Sequence, residues 1–188
     1  MSDVKPVSVL GICGSLRQGS FNMAALRTAI ELRPPGMDVA IADISQIPLY
    51  NDDVYAQGFP APVETLRQQI KAADALLFAC PEYNYGMSGV LKNAIDWASR
   101  PPDQPFAGKP IAILGASPGM GGSARGQLNL RNCCVFLDMH PLNKPEVLIF
   151  QAHNKFDAQG ALTDDIARGL IGDQMAALLR WTRQLSGE

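Results

Sequence analysis

Short apolar runs that do not alternate, each followed by a longer stretch of helical periodicity, constrain this chain more than any other feature. Val7-Ser8-Val9-Leu10-Gly11-Ile12-Cys13, Ala75-Leu76-Leu77-Phe78-Ala79-Cys80, Ile111-Ala112-Ile113-Leu114-Gly115 and Val147-Leu148-Ile149-Phe150 are apolar at nearly every position. A strand covered on one face alternates, whereas a strand covered on both faces does not. Asp38-Val39-Ala40-Ile41-Ala42-Asp43-Ile44 half alternates, as a strand nearer a sheet edge does. Between these runs the spacing predicts helices over 20–32, 63–72, 90–98, 127–137 and 164–185. The last carries Ile166, Leu170, Met175, Leu178, Trp181 and Leu185 close to a helical period. The order βαβαβαβαβα predicts an α/β domain with a parallel sheet and helices on both faces. A chain of 188 residues suits one domain, expected to span residues 1–188.

Composition removes several classes. Apolar residues at 47% and charged residues at 18% exclude a disordered chain. A net charge of −2 gives no overall attraction to nucleic acid or anionic lipid, so neither is an expected partner. No apolar run approaches the roughly 18 residues of a membrane span, and Met1–Pro6 has no secretory pattern, so the expected location is cytoplasmic. Cys13, Cys80, Cys133 and Cys134 form no C-x-x-C spacing and are expected to be free thiols that pack as small hydrophobes. Cys13 and Cys80 each end an apolar run, which on neighbouring strands would set them side by side and pointing the same way. His140 and His153 have no companions that would make a metal set.

In an open parallel sheet, ligands bind beyond the carboxyl ends of the strands. The loop after the first run reads Gly14-Ser15-Leu16-Arg17-Gln18-Gly19-Ser20-Phe21-Asn22 and leads into a helix. Ser15, Ser20 and Asn22 offer short polar side chains, Arg17 a charged fork, and the helix N-terminus free N–H groups. Together they read as a phosphate cradle. No Gly-Lys-Ser/Thr ends it and no G-x-G-x-x-G runs through it, so it is neither a Walker loop nor a dinucleotide fingerprint. The plainer alternative is an ordinary turn with Ser20 as N-cap.

The loop after the third run, Pro81-Glu82-Tyr83-Asn84-Tyr85-Gly86-Met87-Ser88, offers aromatic surface with polar edges, suited to a planar heteroaromatic ligand. Alternatively Tyr83 and Tyr85 only cover the sheet end. Lys92 and Asp96 read as a surface ion pair one helical turn apart. After the fourth run, Gly115-Ala116-Ser117-Pro118-Gly119 matches G-x-S-x-G, the nucleophile elbow of hydrolases. That elbow uses the backbone N–H after the nucleophile, and Pro118 has none. Gly119-x-Gly121-x-x-Ala124 is a weak dinucleotide match that follows the wrong strand.

Gly14-Ser15-Leu16-Arg17-x-x-Ser20-x-Asn22, Pro48-Leu49-Tyr50-Asn51, Pro81-Glu82-Tyr83-Asn84 and Gly89-Val90-Leu91-Lys92-Asn93-Ala94-Ile95-Asp96-Trp97, in this order, resemble the NAD(P)H-dependent FMN reductase family, and within it the bacterial chromate and quinone reductases. The resemblance runs from about residue 7 to about residue 150. It implies a flavodoxin-like, doubly wound, five-stranded sheet of order 2-1-3-4-5, with FMN bound and NADPH or NADH as co-substrate. Hydride would pass through FMN to a small-molecule acceptor such as a quinone or chromate. By the same resemblance Ser15, Arg17, Ser20, Phe21 and Asn22 would surround the FMN phosphate and ribityl chain. Glu82, Tyr83, Asn84 and Tyr85 would line the ring edge, and Ser117 would touch the flavin. The residue before Gly89 is commonly Pro in the family and here is Ser88. Subunits of the family pair at the mouth of the site, so Tyr50, Asn51, Tyr85 and Met87 are expected to be exposed there, in a homodimer or homotetramer. Arg125 would meet a nucleotide 2′-phosphate or pair across an interface with Glu146. No protein acid, base or nucleophile is expected, because a flavin carries its own chemistry. A flavodoxin-like electron carrier is the alternative, although such carriers are usually strongly acidic.

Overall fold

The computed structural model describes residues 5–187. Its main strands are β1 (Val7–Cys13), β2 (Met37–Ala42), β3 (Ala75–Ala79) and β6 (Pro110–Ala116), followed by the short β7 (His140–Pro141) and β8 (Val147–Ile149). The helices are α1 (Phe21–Glu31), the single-turn α2 (Asp52–Tyr55), α3 (Ala61–Ala72), α4 (Gly89–Ala98), α5 (Ala124–Phe136) and α6 (Asp165–Ser186). Two-residue strands β4 (Glu82–Tyr83) and β5 (Gly86–Met87) form a hairpin after β3. They and α2 are too short to leave a periodicity in the sequence.

The parallel sheet runs β2-β1-β3-β6, and its next position is shared by β7 and β8, both paired to β6. The expected order is met, but the fifth strand is broken in two. Pro141 and Pro145 stand in or beside the break, and neither has an N–H to give to a ladder. Pro141 lies opposite Ile111 and Val147 opposite Leu114, leaving the Ile113 carbonyl facing the gap. Gln174 of α6 closes it, donating from Nε2 to the carbonyls of Ile113 (3.0 Å) and Pro145 (3.1 Å).

Helices cover both faces, as the unalternating runs require. Val9, Leu77 and Leu114 face α1 and α6, whereas Leu10, Leu76, Phe78 and Ile113 face α3, α4 and α5. Successive strand residues point to opposite faces, so each run feeds two cores. The same alternation corrects the expectation for the cysteines. Cys13 lies opposite Ala79, not Cys80, so Cys13 enters the α1/α6 core and Cys80 the other. Both are free thiols. Among the described residues no helix is long and apolar enough to cross a membrane.

Candidate active site

Gly14 N–H donates to the Ala79 carbonyl (2.9 Å), extending the β1–β3 ladder by one residue before the chain turns away. The backbone N–H groups of Ser15, Leu16 and Arg17 then have no partner among the described residues. Ser20 caps α1, its Oγ accepting from Met23 N–H at 3.2 Å, and the first-turn N–H groups of Phe21 and Asn22 stay open. Arg17 makes no ion pair among the described residues, and its guanidinium lies 5.7 Å from the centre of the Phe21 ring. An exposed unpaired cation and a row of unpaired donors at a helix N-terminus are what an anion requires.

Ser15, Arg17, Ser20, Phe21 and Asn22 meet Glu82, Tyr83 and Ser117 around one cleft of about 90 Å³. Asn84 and Tyr85 stand outside its wall, on the hairpin turn. Pro81, Ala116 and Pro118 also line the cleft. The sequence placed all three in motifs at strand ends without assigning them to a ligand. The cleft is small beside the roughly 300 Å³ or more of an enclosing ligand pocket, so it suits a small anionic group, with an open shelf beside it. A larger cavity of about 390 Å³ lies at the amino ends of the strands, among Lys5, Asp74, Lys109 and Thr182.

Some of these side chains are already committed to the scaffold. The Asn22 amide bridges the end of β6, donating to the Ala116 carbonyl (2.9 Å) and accepting from its N–H (3.0 Å). Asn22 therefore presents chiefly backbone to the cleft. Glu82 is also engaged. Its Oε2 accepts from the backbone N–H groups of Arg125 (2.9 Å) and Gly126 (3.1 Å), and its Oε1 meets Arg125 Nη1 at 3.2 Å. The N-termini of α1 and α5 both lie at this end of the sheet, and they differ. Glu82 plugs that of α5, which disposes of the G-x-G-x-x-A match there, while that of α1 remains free for an anion.

The shelf is the β4–β5 hairpin. Asn84 (φ 49°) and Tyr85 (φ 67°) both take the left-handed conformation of a tight hairpin turn. The turn holds the tyrosines away from the core, with Tyr83 61% and Tyr85 70% exposed. Arg125 lies 3.9 Å from the centre of the Tyr85 ring, so one guanidinium links Tyr85 to Glu82. Glu146, the expected partner of Arg125 across an interface, pairs within the chain with Lys144 (3.0 Å). Met87, expected at the exposed mouth, is only 8% exposed. It follows the turn on β5, its N–H donates to Asn129 Oδ1 (3.3 Å), and it faces the core. Asn51 is exposed and Tyr50 half-buried. Their segment is pinned to α4: Asn93 accepts from Tyr50 N–H (2.8 Å), and Asn93 and Trp97 both donate to the Pro48 carbonyl (2.8 and 2.9 Å). Lys92 and Asp96 form the expected exposed pair at 2.6 Å.

The hydrolase reading gains nothing here. Ser117 Oγ has only the Gly119 carbonyl, at 3.4 Å, and neither histidine side chain forms a hydrogen bond among the described residues. His140 pairs with Pro110, at the far end of β6. The first glycine of the motif has a packing reason: a Cβ on Gly115 would stand 1.9 Å from Ser123 Oγ and 2.7 Å from the Cys80 carbonyl. The thiols are poor nucleophiles. Burial, then the charge of Glu82, pushes Cys80 up to about 12, and burial also raises Cys13.

Comparison with known proteins shows the family of the chain. The family model for NADPH-dependent FMN reductase matches residues 7–154. An NAD(P)H-dependent FMN reductase of Pseudomonas aeruginosa is 67% identical over 187 residues, covering 100% of each chain. An NADPH:quinone oxidoreductase of Arabidopsis thaliana is 44% identical, over 98% of this chain and 97% of its own. Among solved structures, the flavoenzyme NAD(P)H:(acceptor) oxidoreductase of Paracoccus denitrificans superposes with a TM-score of 0.85 at 34% identity, over 96% of this chain and 98% of its own. The chain therefore belongs to the NADPH-dependent FMN reductase family, oxidoreductases that use FMN with a reduced nicotinamide nucleotide.

Proposed function

We propose that this protein passes a hydride from NADPH or NADH, by way of bound FMN, to a quinone, with Ser15, Arg17, Ser20, Phe21 and Asn22 holding the phosphate end of FMN. Glu82, Tyr83, Asn84, Tyr85 and Ser117 are assigned to the surroundings of its ring. The observation that carries the reading is the open α1 N-terminus, with unpaired N–H groups at Ser15, Leu16 and Arg17 and an unpaired Arg17 beside it among the described residues. FMN, when bound, supplies the hydride-accepting and hydride-donating chemistry. The chain's own part is to bind, orient and shield. Backbone donors and the Arg17 charge bind a dianion without a proton changing hands. The Tyr83–Tyr85 turn, held by Arg125 and Glu82, gives a planar partner an aromatic edge to lie against. Because that shelf is open, reductant and acceptor can take the same place in turn. The quinone assignment is supported by the names of the relatives, several of which are quinone reductases or quinone oxidoreductases.

The protein is further proposed to work as a homodimer or homotetramer. Supporting this, the tyrosines of the shelf are exposed in the single chain. Leu128, Val135 and Phe136 also form an exposed apolar stripe along α5, with Val135 84% and Phe136 86% exposed. A fully active monomer by sedimentation at micromolar concentration would refute it.

The decisive experiment is anaerobic reduction of the FMN-loaded protein by each nucleotide, then reoxidation with quinones, chromate, ferric complexes and free flavin. Rapid bleaching by NADPH or NADH and rapid reoxidation by quinone are expected. Bleaching too slow for turnover would make the protein an electron carrier and sink the reductase reading.

A further inference from the structure

The loop leaving β1 is gripped from the side away from the cleft. Ser88 is 2% exposed, and its hydroxyl donates to the Gly14 carbonyl at 2.6 Å while accepting from Leu91 N–H at 3.2 Å. Gly14 leaves no room for a side chain between these groups: a Cβ would stand 2.8 Å from Ser88 Oγ, 2.8 Å from Pro81 Cδ and 2.9 Å from Leu91 Cβ. Its own N–H is fixed on the Ala79 carbonyl. In a planar trans peptide the carbonyl and the next N–H point in opposite directions. With the Gly14 carbonyl held toward α4, Ser15 N–H turns to the other side, where α1 begins and the cleft lies. That N–H has no partner among the described residues.

We infer that Ser88 is a positioning residue for the cofactor: by holding the Gly14 carbonyl it aims Ser15 N–H at the phosphate of FMN. The inference rests on the FMN reading above. Helix initiation alone does not require this serine. Pro60 starts α3 at φ −55°, ψ 144°, nearly the backbone of Ser88 at φ −60°, ψ 144°. A proline at position 88 would therefore fit the same helix start, and Met87 before it lies on a strand, as a residue preceding proline prefers. What proline cannot supply is the hydroxyl that turns the Gly14–Ser15 peptide.

The test is Ser88→Pro, Ser88→Ala and Ser88→Thr, each stripped of flavin and titrated with FMN and with riboflavin by quenching of flavin fluorescence, with a thermal melt of each variant. Ser88→Pro and Ser88→Ala should raise the FMN Kd about tenfold, the scale of one hydrogen bond to a charged group, while the riboflavin Kd stays within about twofold. Ser88→Thr, which keeps the hydroxyl, should restore most of the FMN affinity. Unchanged FMN affinity in Ser88→Pro and Ser88→Ala overturns the inference. So does equal weakening toward both flavins, which is the mark of a purely structural role. A wild-type protein with no preference for FMN over riboflavin would overturn the phosphate cradle itself, a result visible before any substitution is made.

Discussion

Replacing Glu82 by alanine should loosen α5 and the Tyr83–Tyr85 turn together. The N-cap residue of α5, Ser123, sits at φ 72° and makes no side-chain capping bond. Its capping is done in trans by Glu82, more than 40 residues upstream, through two backbone N–H groups and one Arg125 nitrogen. Losing a cap costs about 1 kcal/mol, within a range of roughly 0.5–2. Losing a negative charge at a helix N-terminus costs about 0.3–1 kcal/mol more. The ion pair adds about 0–1 kcal/mol, because the Arg125 side chain is 51% exposed although that of Glu82 is only 12% exposed. With the cap at about 1 kcal/mol, the sum is about 1.3–3 kcal/mol. In a chain of this size each kcal/mol moves Tm by about 2–4 °C, so Glu82→Ala should melt about 3–12 °C lower. Glu82→Gln keeps an acceptor and should lose about half as much. A double-mutant cycle with Arg125→Met separates the contributions. A coupling of about 0.5 kcal/mol or less is expected, since both backbone bonds survive removal of the guanidinium. The reasoning fails if calorimetry puts Glu82→Ala within about 0.5 kcal/mol of wild type. It fails equally if the cycle assigns most of the loss to the Arg125 side chain.

Arg17→Ala should weaken FMN by about 1.5–3 kcal/mol in titrations while sparing riboflavin; equal loss for both flavins would remove Arg17 from the phosphate. Cys13→Ala with Cys80→Ala should leave the rate of flavin reduction near wild type and lower stability by about 1–3 kcal/mol, because these thiols only fill the two cores. Loss of flavin reduction with FMN still bound would give them a catalytic part. Burial tends to raise the Asp74 carboxyl, but hydrogen bonds from Ser8 N–H and Oγ, with the charges of Lys5 and Lys109, hold it below its ordinary value. Its folded pKa thus lies below the unfolded one, so its stabilisation is present above the unfolded value of about 3.9 and is lost as pH falls through the folded one. Ser8→Ala should therefore be destabilised at pH 7, with the gap from wild type narrowing in acid-unfolding curves below about pH 4; a gap independent of pH would refute the linkage.

The residue pattern alone was enough to decide the layers of this protein and the end of the sheet where a ligand belongs. Each run of apolar residues has to be covered on both sides, and a stretch of 3.6-residue period comes after each run, so the α/β sheet was legible without coordinates. The resemblance in four motifs supplied the strand order and the cofactor. Interactions between distant residues were not legible, because no local pattern records them. Pro141 and Pro145 warn that a strand is poor there, but only the fold shows Gln174, nearly 30 residues on, closing the gap. Glu82 reads like any polar loop residue until α5 is laid against it. Phosphate cradles and idle helix ends look alike in sequence, since both are glycines, serines and a helix start. The tertiary structure told them apart by filling one N-terminus with a carboxylate and leaving the other open. Met87 and the two cysteines turned on the same point: register decides which face a strand residue takes, and a shift of one residue exchanges core for surface or one core for the other.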